Sequence, residues 1–124
     1  MALCLTAGGL VVRLALSAFT LAWTHSVEQV RWEEDWRIEG GTLVPVEARI
    51  QGSGAGMEPP PGAMLEHGFW RYRPAIAPLP RLDLARGGPV PDWRLCAGGR
   101  CLELGRLLPE EVQDRDVSLA ACPD

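Results

Sequence analysis

At 124 residues the chain has the length of one domain and is long enough to bury a real core. Its 47% apolar and 23% charged residues argue against disorder. A net charge of −4 with no basic run argues against a nucleic-acid partner. All twelve cations are Arg, from which no function is read. We read residues 1–124 as a single domain.

The first 23 residues are apolar, but no positive segment precedes them, Arg13 interrupts them and Gly8-Gly9 breaks them. A secretory signal puts charge before an unbroken apolar stretch, and a membrane span needs about 20 clean residues. The segment reads instead as a folded hairpin. A turn at Gly8-Gly9 pairs Ala7 with Leu10, Leu5 with Val12 and Leu3 with Leu14. On this reading either a longer precursor exists or the protein is not exported by a signal of its own.

Alternation resumes at Phe19, with Phe19, Leu21, Trp23 and His25 on one face. Further on, Val30, Trp32, Glu34, Trp36 and Ile38 fall on one side, and Arg31, Glu33, Asp35, Arg37 and Glu39 on the other. A helix would mix these sets around its circumference; a strand separates them. Glu34 is the exception, a carboxylate on the apolar face. After it, a three-residue loop over 40–42 is expected, because it pairs Ile38 with Val44, Trp36 with Val46 and Trp32 with Ile50. The same register sets Glu33 opposite Arg49, a favourable pair, and Asp35 opposite Glu47, an unfavourable one.

Residues 51–62 read QGSGAGMEPPPG, which excludes regular structure. Short strands are expected over 69–73 and 81–86, on either side of the Pro-rich stretch 74–80. A last hairpin turns at Gly98-Gly99, with Trp93–Leu104 and Leu95–Leu102 inside and Arg94–Glu103 outside. One helical turn is expected over 109–113. The whole predicts an all-β fold with little helix, a small antiparallel β-sandwich or partly open barrel built from hairpins.

In the last hairpin Cys96 faces Cys101 one pair back from the turn, within disulfide reach. By elimination Cys4 and Cys122 form a second bridge between the ends of the chain. An even count with one natural pair indicates an oxidising compartment. The alternative is four reduced thiols in a cytoplasmic protein. A zinc site is disfavoured, since only one close cysteine pair exists.

His25 and Glu34 project to the side of Trp23, Trp32 and Trp36 if both strands share a sheet, with Glu28 close by. A carboxylate among indoles is costly unless paired or protonated. His25 and Glu34 therefore read as an acid/base or ligand-contacting pair in a Trp-lined cleft, or as a polar network that pins register, or else Glu34 escapes to solvent at a sheet edge. The loop 52–58 lacks the GK[ST] ending of a phosphate loop, and proline follows it where a helix would have to start. Its glycines, among them Gly54 and Gly56, suit a close approach that brings Met57 and Glu58 to the Trp face. His25, Glu28 and Glu58 are metal-ligand types without metal-site spacing, so neither metal nor cofactor is expected.

Three segments carry a resemblance: residues 19–28 (FTLAWTHSVE), 32–36 (WEEDW) and 52–60 (GSGAGMEPP). There and over most of its length the chain resembles an uncharacterised bacterial family, domain of unknown function 1850. The resemblance implies a small envelope-associated protein, often encoded beside tripartite TRAP-type transporters, and supplies no activity. The chain departs from it in lacking an evident export segment. Together these readings predict a periplasmic or envelope accessory or binding module, not an enzyme, with a transporter component or its solute as partner. The site would comprise Trp23, His25, Glu28, Trp32, Glu34, Trp36 and the loop from Gly54 to Glu58. A small hydrolase or lyase using His25 and Glu34 is the alternative.

Overall fold

The computed structural model describes residues 1–24, 30–52, 59–88 and 90–124. Eleven strands are present among them: β1 (Ala2–Ala7), β2 (Leu10–Leu14), β3 (Ala18–Thr24), β4 (Arg31–Glu39), β5 (Thr42–Gln51), β6 (Met64–Glu66), β7 (Phe69–Tyr72), β8 (Leu82–Leu84), β9 (Arg94–Ala97), β10 (Arg100–Glu103) and β11 (Val117–Cys122). Two 3-10 turns, Leu104–Leu107 and Glu110–Val112, complete the regular structure. The strands make a four-stranded sheet, ordered β2-β1-β11-β8, and a seven-stranded sheet, ordered β10-β9-β3-β4-β5-β7-β6. All pairings are antiparallel, and the two sheets face each other as a sandwich, with no closed barrel.

The apolar first 23 residues are core-forming strands. Leu3, Leu5 and Ala7 of β1 point inward with Val117 and Leu119 of β11 and meet Phe19, Leu21, Trp36, Ile38 and Leu95 of the larger sheet. Leu3, Leu5, Leu21 and Leu119 are essentially inaccessible, and a leucine so buried contributes roughly 2–3 kcal/mol. The first hairpin has the expected register, Leu3 opposite Leu14, Leu5 opposite Val12 and Ala7 opposite Leu10. So does the last, with Leu95 opposite Leu102 and Arg94 opposite Glu103.

The β4–β5 hairpin corrects the expected three-residue loop. Its turn is the two-residue Gly40-Gly41, both at positive φ (56° and 79°), which is the backbone a primed turn demands. Ile38 therefore pairs with Leu43 rather than Val44, and Trp36 with Pro45 rather than Val46. A bulge between Asp35 and Trp36 then skips Val46 and restores the expected pairs Asp35–Glu47, Glu33–Arg49 and Trp32–Ile50. Pro45, with no N–H to donate, sits beside that bulge, on a stretch of β5 that β7 does not reach. The hydrophobic match wins along the distal half of the hairpin and the turn chemistry along the proximal half.

Three further elements escaped the sequence reading. Met64–Glu66 adds an edge strand to β7, Leu104–Leu107 winds as a 3-10 turn, and Val117–Cys122 enters the smaller sheet between β1 and β8. The expected strands at 69–73 and 81–86 are shorter, at Phe69–Tyr72 and Leu82–Leu84. Of residues 51–62, Gln51 closes β5 and Gly52 donates its N–H to the Gly68 carbonyl at 2.7 Å. The Pro-rich crossing is held where Leu43 and Leu79 exchange backbone hydrogen bonds of 2.8 and 2.9 Å.

The structure pairs Cys96 with Cys101 (Cα–Cα 4.0 Å) and Cys4 with Cys122 (Cα–Cα 5.9 Å). Cys96 and Cys101 oppose each other directly across β9 and β10. Cys4 and Cys122 are diagonal neighbours across β1 and β11, since Ala2 is the residue opposite Cys122.

Candidate functional site

Strand alternation and register assemble the candidate face. On the inner side of the larger sheet, Leu95, Leu21, Glu34, Ala48 and Tyr72 form one transverse row. The next row carries Trp23, Trp32, Ile50, Trp70 and Leu65. Trp23 stacks on Trp32 at 5.8 Å between ring centroids, and Trp93 leans on the other side of Trp23 at 4.9 Å. Three indoles thus run side by side, from Trp93 just before β9 to Trp23 on β3 and Trp32 on β4. Ring pairs at these separations contribute about 0.5–1.5 kcal/mol each beyond their buried area.

Glu34 stands at the border of the shared core. Leu21 and Trp36 belong to that core and Ala48 is fully buried, whereas Trp32 and Tyr72 are only partly buried. Burial pushes the Glu34 carboxyl above the usual glutamate range. The Trp36 indole N–H pulls weakly the other way without reaching hydrogen-bond geometry. Across the small Ala48, the Tyr72 hydroxyl is raised by its own burial and by the charge of Glu34. The buried indole nitrogens of Trp32 and Trp36 have no hydrogen-bond partner among the described residues. Nor does any described Lys, Arg or His make an ion pair with Glu34.

The opposite face of the same strands is a closed charge ladder. Arg49 donates to Glu33 (2.8 Å), to both oxygens of Asp35 (2.7 and 2.8 Å) and to Glu47 (2.8 Å). Arg31 donates to Glu33 at 2.7 Å, Arg71 to Glu47 at 2.8 and 3.0 Å, and the Thr20 hydroxyl to Asp35 at 2.6 Å. The Asp35–Glu47 opposition expected to be unfavourable is therefore bridged by one guanidinium. Arg49 holds Asp35 below its ordinary pKa and Arg71 does the same for Glu47, in each case against burial. Burial alone would raise Glu33, but Arg31 and Arg49 outweigh it and lower it too. A bidentate fork is what lets one side chain serve three carboxylates.

Of the residues expected at the site, the structure brings Trp23, Trp32, Glu34 and Trp36 onto one face. His25, Glu28, Gly54, Gly56, Met57 and Glu58 lie outside the described residues, and with them the His25–Glu34 pair. Sequence reasoning missed Tyr72, whose place opposite Ala48 depends on how β7 pairs with β5. It also placed Trp93 in the core hairpin without linking it to Trp23. A cross-strand Trp–Trp match between β3 and β9 was the available signal.

Trp93 also walls an open groove of about 700 Å³. In it the Arg86 guanidinium grips Asp92 through two bonds of 2.9 and 3.0 Å, and the Gly105 N–H donates to Asp92 at 2.9 Å. Arg86 also donates to the Arg115 carbonyl at 2.8 Å. These bonds tie the 86–92 loop to the end of β10 and to the entry of β11, which is a structural task.

The features define a disulfide-bonded β-sandwich domain with an aromatic face built around a half-buried carboxylate. The chain belongs to the family described as Domain of unknown function (DUF1850), whose sequence model matches residues 19–104. That match begins one residue into β3 and ends just past β10, so it takes in every strand of the larger sheet. No curated protein and no solved structure matches the chain.

Proposed function

We propose that this protein is a non-enzymatic binding module that works outside the cytoplasm, with the Glu34 face as its binding surface and a TRAP-type transporter component or its solute as partner. The observation that carries the reading is the contrast within β4. Glu33 and Asp35 are neutralised by guanidinium groups on the outer face, while Glu34 is held among aromatic rings with no ion pair among the described residues. Keeping an ionisable group in such a setting costs stability, and sites that bind or react are where such costs recur. The oxidising compartment is supported by two disulfides, one of them at a solvent-exposed hairpin. The transporter link rests on the setting that the family resemblance implies.

Capture from the native envelope tests it. Tagged wild-type chain should retain a transporter component or receptor, and Glu34→Ala should lose most of it while melting normally. Equal capture by both, or recovery of the chain from cytoplasm with four free thiols, would overturn the reading.

A further inference from the structure

We propose that the ligand of the Glu34 face is an organic amine cation, its charge met by the Glu34 carboxylate and its alkyl groups by the rings of Trp32 and Tyr72. This rests on the binding reading above and names the class of ligand. The argument starts from what each kind of ligand would meet. An anion approaching Glu34 meets like charge at close range, where burial weakens solvent screening. A purely apolar ligand would strip water from the carboxylate and return nothing for it. A cation supplies a counter-charge that no described residue provides, and the rings add to it, because aromatic faces attract ammonium groups by about 0.5–2 kcal/mol.

The geometry matches this demand. Trp32 lies two residues before Glu34 on the same side of β4, and Tyr72 lies two strands away in the same row with only the methyl of Ala48 between them. Both rings keep part of their surface accessible, unlike Trp36, which is 3% exposed. A core-only polar network would close its hydrogen bonds. Here the Trp36 indole N–H approaches the half-buried Glu34 carboxylate without reaching hydrogen-bond geometry, and the Trp32 indole N–H on the same side of the strand has no partner among the described residues. Arg31, Arg49 and Arg71 cannot supply the counter-charge, since all three are committed to carboxylates on the opposite face.

The test uses the full chain with its disulfides intact and the tryptophans as reporters. Tetramethylammonium and benzylammonium chloride are titrated at constant ionic strength, with sodium acetate as the anionic probe. At least one amine should give a saturable fluorescence change, weakened about tenfold or more in Glu34→Gln and partly retained in Glu34→Asp. Near-UV circular dichroism confirms that both variants fold. The inference is overturned if neither amine saturates, if Glu34→Gln titrates like wild type, or if acetate is the probe that saturates. Those results leave envelope capture untouched, so failure of the ligand class and failure of the module reading are separately visible.

Discussion

Glu34 and Asp35 are consecutive residues whose carboxyl groups stand on opposite faces of one strand and are driven in opposite directions. Burial among apolar and aromatic side chains raises Glu34. Two hydrogen bonds from Arg49 lower Asp35. One peptide unit thus separates a carboxylate that the fold tolerates from one that it uses.

The raised pKa fixes the sign of a stability effect. A folded chain that holds the Glu34 proton more tightly than the unfolded chain loses stability as pH rises from the ordinary glutamate range through the raised value. Glu34→Gln should therefore melt at slightly higher temperature than wild type at pH 7, and the difference should vanish in acid, where both side chains are neutral. Thermal melts at pH 3.5 and 7 check this. A Glu34→Gln protein that melts lower at pH 7 would contradict it.

Arg49 carries the opposite dependence. Glu33, Asp35 and Glu47 are held below their ordinary values, so their stabilisation is present at neutral pH and fades as pH falls through the lowered values. Arg49→Met should cost about 1–3 kcal/mol at pH 7, because it leaves three clustered carboxylates without their common donor. That cost should shrink in acid. Urea titrations of both proteins at pH 7 and pH 3.5 measure it.

How much was legible in the sequence follows from which signals were local. The Trp32/Glu34/Trp36 alternation and the Gly8-Gly9 and Gly98-Gly99 turns lie within short windows, and each hairpin register could be tested by its own apolar matches. The β4–β5 hairpin was half legible. Turn chemistry and hydrophobic matching there ask for registers one residue apart, and a bulge at Val46, invisible to either rule alone, satisfies both. Tyr72 was illegible as a neighbour of Glu34, since its row position is set by the pairing of β7 with β5, whose paired residues are about twenty positions apart in sequence. The end strand Val117–Cys122 went unread because its partners, β1 and β8, are distant in sequence.

The two disulfides should differ in worth. Chain-entropy arguments assign about 2 kcal/mol to the five-residue Cys96–Cys101 separation and about 4–5 kcal/mol to the 118-residue Cys4–Cys122 separation. Paired Cys→Ala substitutions followed by urea unfolding should reproduce that order. The reverse order would mean that the Cys4–Cys122 bridge carries offsetting strain.

Gly105 is needed for space. A Cβ there would lie 3.1 Å from the Arg86 guanidinium and 3.4 Å from the Asp92 carboxylate. Gly105→Ala should destabilise by about 1–3 kcal/mol through the displaced ion pair, visible as early proteolytic cleavage near residues 86–92. A variant as stable and as resistant as wild type would show that the clasp yields without cost.

The position of β1 also dictates the order of assembly. β1 is an interior strand of the smaller sheet, hydrogen-bonded to β2 on one side and to β11 on the other. During synthesis or export, residues 2–7 are among the first of these strands to appear and residues 117–122 the last. Leu3 and Leu5 must therefore wait, with one edge of their strand unpaired, for nearly the whole chain to follow. The smaller sheet thus closes only once residues 117–122 are available, which ties its folding to the oxidation that locks Cys4 to Cys122.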